Sequence, residues 1–228
     1  MRAVVAVGGS VLAPDLDPER VSRYARSLEA ILDAGHELGV VVGGGRVARE
    51  YIGTARELGA SEMALDRLGI EVTRLNARLL VAAMDGRAAP TPPEGYDEAV
   101  AALRRGDVPV LGGVVEGQTT DAVAAALADS VDADVVIYAT SVPGVYSEDP
   151  HEHEDAQRYE HLTTDELVWL IADGASLGSA GSSAPVDLLA AKLLQRSEMR
   201  AVVLDGTDPD AVRRAIIDGE HDGTEVTP

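Results

Sequence analysis

The chain has 228 residues, a formal charge of −20 and a pI near 4.4. So acidic a surface repels nucleic acid and anionic membranes, which excludes both as broad partners, and an anionic substrate must find a locally basic pocket. The chain has no cysteine, which removes disulfides, thiolate metal sites and thiol nucleophiles from consideration.

The basic residues are 18 arginines and a single lysine, Lys192, and phenylalanine is absent. This is the composition of a protein adapted to molar salt, where the Debye length falls to about 3 Å and surface acids scarcely repel one another. Length suggests one domain spanning 1–228. The opening "AVVAV" is too short for a signal-peptide core or a membrane span, so a soluble, cytoplasmic protein is expected.

Apolar runs of strand length alternate with helix-period segments, the pattern of an α/β fold: an αβα three-layer sandwich around a mainly parallel sheet. The first strand, 3–7, runs into Gly8, Gly9 and Ser10. A helix follows from Pro18, with Val21, Tyr24, Leu28, Ile31 and Leu32 on one face and Gly35 to close it. The second strand, 38–42, meets Gly43, Gly44 and Gly45 and opens a helix over 46–58 carrying Arg46 and Arg49. Helices are predicted at 70–83 and 96–105, then a third strand at 108–111 that ends on Gly112 and Gly113. "GQTTDA" enters a helix at 121–131, and a fourth strand lies at 135–139. The rest reads as helices at 164–172, 185–197 and 210–218 with a last strand at 201–204.

Three strand ends therefore run into glycine. Glycine lets a backbone approach a ligand closely, and exposed amides at a helix N-terminus bind phosphate oxygens. Three such corners on one sheet edge suit a polyphosphate, although any single corner is common in α/β proteins. The Walker pattern G-x-x-x-x-G-K-[ST] is absent, because the only lysine has no such glycines before it. "GGGRVA" fits the dinucleotide pattern G-x-G-x-x-A, with Asp66 in range for a ribose, but it follows the second strand and leaves the other corners unexplained. Read singly, Asp66 is also an ordinary surface acid, Thr119 and Thr120 are helix caps, Tyr146 is packing, and Arg49 is a solvated helix arginine. His151 and His153 in "HEHED" read as an acidic loop, and no metal site is assigned.

The order of "GGSVL", "VVVGGGRVAREYI", "ALDRLGIEVTRLNARLL", "GQTTDAVAAALA", "ATSVPGVYSEDP", "AGSSAPVDLLAAKLLQRS" and "DGTEVTP" resembles the amino-acid-kinase superfamily, and within it the archaeal uridylate kinases. The resemblance implies a kinase that moves the terminal phosphate of Mg-ATP, its Mg²⁺ included, onto UMP in pyrimidine nucleotide synthesis. It places Gly8, Gly9, Ser10, Gly45 and Arg49 by the ATP phosphates, and Thr140, Tyr146 and Asp149 on the adenosine side. It places Gly44 by the UMP phosphate, Asp66 on the ribose, and Val114, Val115, Glu116, Gly117, Gln118, Thr119 and Thr120 around the acceptor nucleotide. Many relatives carry a lysine in the first strand and an aspartate in the loop matching "SVPG"; those places here are Ala6 and Pro143. Arg49 is then the preferred catalytic charge stabiliser and Lys192 the second candidate. The missing pair also keeps open a noncatalytic nucleotide-binding or storage protein, and sister kinases of other small acceptors remain. Relatives assemble as hexamers, so a homo-oligomer is expected.

Diluting the protein below about 0.5 M salt, where screening weakens, should destabilise the fold. Melting temperature measured across a KCl series checks this; no change from low to high salt refutes it.

Overall fold

In the computed structural model, described over residues 1–148, 150, 153, 155–174 and 185–228, unalternating apolar runs become strands covered on both faces. β1 (Arg2–Val7), β2 (Glu37–Val42), β3 (Val110–Leu111), β4 (Val135–Thr140), β5 (His161–Thr163), β6 (Ala201–Asp205) and β7 (Thr224–Thr227) form one sheet in the order β3-β2-β1-β4-β6-β7-β5. Every pairing is parallel except β6 with β7. The strands β1, β2, β3, β4 and β6 consequently all end at the same sheet edge. Chain order reverses across β1, which pairs with β2 on one side and β4 on the other, so the crevice at their carboxyl ends is a topological switch point.

Alternate residues of β1 face opposite layers. Ala3, Val5 and Val7 pack with Tyr24, Leu28 and Ile31 of α2 (Pro18–Asp33), Leu80 of α4 (Glu62–Ala83) and Val212 of α9 (Pro209–Ile217). Val4 and Ala6 face α5 (Tyr96–Arg104), α6 (Thr120–Ser130), α7 (Thr164–Gly174) and α8 (Leu188–Arg196). The short α1 (Gly9–Leu12), a 3-10 turn at Pro14–Leu16, and α3 (Gly45–Glu57), which packs mainly on α4, complete the described helices. Each fully buried Leu or Ile contributes about 2 kcal/mol. A solvent-exposed ion pair contributes roughly 0–1 kcal/mol and less in molar salt. The two apolar layers, rather than the surface arginine–carboxylate pairs, hold this fold.

The caps explain most boundaries. Asp17 accepts from the Glu19 amide at 3.0 Å and Pro18 stands at the first helical position, so α2 starts where the sequence places it. Gly35, at φ 85°, follows its end. α8 begins at Leu188 rather than 185, because Asp187 caps it by accepting from Leu189 and Ala190 at 2.7 and 3.1 Å. α4 begins at Glu62, eight residues before the predicted start; Gly69 is interior, and a Cβ there would meet Ile52 of α3 at 3.3 Å. Gly69 marks the close approach of two helices, not a helix start.

β5 and β7 escape sequence prediction, since "HLT" and "TEVT" each carry only one buried large apolar residue, Leu162 and Val226. β3 is also shorter than 108–111. Val108 instead bridges Ala88 at the sheet margin, with Ala89 donating to its carbonyl at 2.9 Å.

Candidate functional site

The first two glycine corners lie directly against each other. β1 leaves Val7 into Gly8, whose amide donates to the Ala139 carbonyl at 3.1 Å, and β2 leaves Val42 into Gly43, whose amide donates to Val7 at 2.9 Å. An added Cβ on Gly9 would overlap the Gly43 carbonyl and the Gly45 amide; on Gly43 it would stand 2.7 Å from the Gly9 nitrogen, and on Gly45 2.6 Å from the Ser10 nitrogen. Gly45 also sits at φ 63°, in the left-handed region. No side chain fits between these backbones. Gly44 is confined differently, its added Cβ overlapping that of Ala48. Packing thus explains the glycines of "GGGRVA" without a dinucleotide. Gly8 is not sterically required, as an added Cβ there meets nothing closer than 3.6 Å; it caps α1 by accepting from Val11 and Leu12, both at 2.9 Å.

Arg49 spans the two corners. Its Nη2 donates to the Ser10 hydroxyl at 3.1 Å, and it forms no ion pair with a described residue. Arg46, one turn earlier, is committed to Asp15 at 2.6 Å and Glu50 at 2.5 Å. Lys192 is elsewhere: its Nζ donates to Gln195 at 3.1 Å, and Gln195 donates in turn to Asp165 of α7 at 2.5 Å.

The third corner packs on α4. A Cβ on Gly113 would stand 2.8 Å from Ile70 Cγ1. The following loop is tied back by Asp66, which accepts from the Gly117 amide at 2.9 Å, and by Arg67, 2.7 Å from Glu116. Tyr96 donates to Gln118 at 2.9 Å. Val114 is half-buried against the α6 layer, while Val115 is exposed. Thr119 caps α6 by accepting from Ala122 at 3.1 Å, donates to the Asp187 carboxylate, and so ties the start of α6 to the start of α8; Thr120 is the first residue of α6.

The β4 end supplies Thr140, which accepts from the Val142 amide at 3.1 Å, and half-buried Tyr146, bridged to Arg158. Asp149 and His151 lie outside the described residues. His153 stands 3.2 Å from Glu148, and among the described residues no three His, Asp or Glu converge as metal ligands. Beyond Pro143, a cleft of about 290 Å³ is lined by Asp205, Asp208, Arg214 and His221. A larger one of about 380 Å³ lies between α2 and α9, away from the strand ends, and its Arg23, Arg26 and Arg213 already face acids.

Four functional-edge residues were not picked out from sequence. Asn76 and Thr73 of α4 are buried and bond to the glycine corners; their signal is polar residues on a stripe that should be apolar. Asp187 and Asp121 are the others. Burial pushes the Asp121 carboxyl up to about 7, with the Asp187 carboxylate adding to the shift. Its neighbour Tyr138, whose hydroxyl donates to the Asp121 carbonyl at 3.3 Å, is likewise raised by burial.

The amino acid kinase family model matches residues 1–205. A uridylate kinase of Haloarcula marismortui is 63% identical over all of this chain and 99% of its own, and one from Halobacterium salinarum is 61% identical over all of this chain and 94% of its own. Among solved structures, a uridylate kinase from Archaeoglobus fulgidus superimposes with a TM-score of 0.89 at 41% identity, covering both chains completely. A UMP kinase from Bacillus anthracis gives 0.80 at 25% identity, over 99% of this chain and 95% of its own. No helix of the described residues is long and apolar enough to cross a membrane.

Gly9→Ala should lower the unfolding free energy by roughly 1–3 kcal/mol, as overpacking does, whereas Gly8→Ala should cost less than about 1 kcal/mol; denaturant titration in concentrated KCl distinguishes them. Asp121 binds a proton in the folded state from its ordinary 3.8 up to about 7, where the unfolded chain has released it. Stability therefore falls as pH rises through that window. Asp121→Asn should raise the melting temperature more at pH 8 than at pH 5, and an equal effect at both would refute the assignment.

Proposed function

The chain belongs to the amino acid kinase family, and on that premise we propose that it transfers the terminal phosphoryl group of Mg-ATP to UMP, giving ADP and UDP. The observation that carries the reading is the backbone stack of Gly9 on Gly43 and Gly45, bridged by the 3.1 Å contact of Arg49 with Ser10. Two strand ends meeting without side chains leave amides where phosphates of two nucleotides can approach each other.

In this reading Gly8, Gly9, Ser10, Gly45 and Arg49 hold the ATP phosphates, with Thr140, Tyr146 and Asp149 on the adenosine side. Gly44, Asp66 and the run from Val114 to Thr120 hold UMP. A phosphate oxygen of UMP forms the new bond to the γ-phosphorus, the bond to the β-phosphate oxygen breaks, and its electron pair leaves on ADP. Such a transfer asks the protein for alignment and positive charge rather than covalent chemistry. Mg²⁺ arrives as part of the donor, held by its phosphates. Ala6 is 3% exposed within the α6 layer and Pro143 carries no charge, so neither supplies what a lysine and an aspartate there would. Arg49 is the guanidinium already at the corner, and it has no carboxylate partner among the described residues to neutralise it. Lys192 ranks second because its ammonium is engaged with Gln195. The setting is cytoplasmic pyrimidine nucleotide synthesis, and the working unit a homo-oligomer, a hexamer in the family pattern.

A coupled ADP-release assay in concentrated KCl with UMP, CMP, dUMP, AMP and GMP tests activity and acceptor choice together. UMP should be the preferred acceptor, and ADP should form only when donor and acceptor are both present; nucleotide binding without turnover would establish a noncatalytic protein instead. Arg49→Ala should lower kcat by about 10²-fold, the loss typical of a removed transition-state donor. Turnover intact in Arg49→Ala but abolished in Lys192→Met would reverse the ranking.

A further inference from the structure

The second glycine corner, which carries the proposed donor and acceptor phosphates, and the third, from which the acceptor loop departs, are held by one helix. Asn76 of α4, 4% exposed, donates through Nδ2 to the carbonyls of Gly43 at 2.8 Å and Gly44 at 3.2 Å. Thr73, 8% exposed, donates its hydroxyl to Ile70 at 2.6 Å and accepts from the Gly113 amide at 2.6 Å. Arg74 donates to the Gly113 carbonyl at 3.3 Å. A Cβ on Gly112 would stand 2.5 Å from the Thr73 hydroxyl, so the helix touches the corner itself.

These bonds fix directions as well as distances. In a trans peptide the N–H points opposite to the preceding C=O. Drawing the Gly43 and Gly44 carbonyls onto Asn76 therefore turns the amides of Gly44 and Gly45 away from α4. Holding the Gly113 carbonyl on Arg74 turns the Val114 amide the same way. Residues 73 and 76 lie three apart on one helical face, a rise of about 4.5 Å, and a helix is stiff over that length.

We propose that Thr73 and Asn76 are positioning residues that set the distance between the Gly43–Gly45 corner, where the donor and acceptor phosphates would meet, and the Gly113 corner, from which the acceptor loop departs, making α4 the ruler between the phosphate corner and the acceptor nucleotide. This rests on the phosphotransfer reading above. Neither residue touches the phosphates, so their loss moves alignment more than binding. A misplacement of about 1 Å is enough to cost about 10²-fold in rate.

The test uses the full chain in concentrated KCl, with Thr73→Val, Thr73→Ser and Asn76→Ala. The measurements are melting temperature, kcat, KM for Mg-ATP and for UMP, and ATP hydrolysis without acceptor. Thr73→Val keeps the shape and loses the hydroxyl. Its kcat for UMP should fall roughly 10- to 100-fold, with both KM values within about threefold and hydrolysis to water unchanged. Thr73→Ser should recover kcat to within about threefold of wild type, and Asn76→Ala should lower kcat for UMP by a similar roughly 10- to 100-fold. A folded Thr73→Val with kcat within about twofold of wild type overturns the proposal, as does a Thr73→Ser that fails to recover. If Asn76→Ala does not fold, the valine–serine pair decides alone. A wild type that forms no ADP with any acceptor overturns the phosphotransfer reading and this one with it; an active wild type with unaffected variants overturns only this one.

Discussion

The contact on which the rest depends is that of two backbones. Gly9 presses on the carbonyl of Gly43 and the amide of Gly45, at a separation that no Cβ can enter. Ordinary side chains at these turns would wedge β1 and β2 apart at their carboxyl ends and put hydrocarbon where amides now stand. The parallel register Val7 with Val42 brings the corners level, and the apolar layers on both faces of β1 keep them so. The core therefore has a local consequence: it keeps the two corners level, while Gly45 makes the left-handed turn that glycine adopts without strain.

A second layer of control comes from α4. Its face toward the sheet carries Leu65, Val72, Ala77 and Leu80 in the core, but Thr73 and Asn76 interrupt that face. Burying two polar side chains without partners would cost about 1–3 kcal/mol each. Their hydrogen bonds to Gly43, Gly44 and Gly113 remove that penalty and link corners that the chain itself separates by about seventy residues. Asp66 and Arg67, earlier on the same helix, extend the grip along the loop at Glu116 and Gly117.

The legibility of this molecule follows from which signals are local. Strands β1, β2, β4 and β6 were readable because each is mostly a run of Val, Ile, Leu and Ala covered on both faces. The glycines after β1 and β2 were readable for the same reason, being punctuation at the end of such runs. β5 at the sheet edge and β7 beside it were not, because strands of three or four residues with mostly polar side chains leave no periodicity to detect. Asn76, Asp187 and Asp121 were missed because what distinguishes them is tertiary: Asn76 from any helix asparagine by carbonyls arriving from β2, Asp187 from any cap by Thr119, and Asp121 by the withdrawal of its carboxyl from water. Arg49 was singled out by its place behind the glycines, yet its difference from Arg46 lies in partners that only the fold supplies.

The composition and the edge geometry bear on one problem. On the proposed phosphotransfer a chain of charge −20 has to hold polyanions, and at molar salt a Debye length of about 3 Å would remove any help from distant arginines. Only donors in contact with the ligand are then effective. Backbone amides meet that condition, since they carry no net charge to be screened and their direction is set by the peptide plane. One guanidinium at the corner meets it too, provided no carboxylate occupies it, and Arg49 is so placed among the described residues. The acidic surface that suits high salt and the side-chain-free corners at the sheet edge are thus compatible, because the charges that matter for transfer act at hydrogen-bond range while those that matter for solubility act outside it.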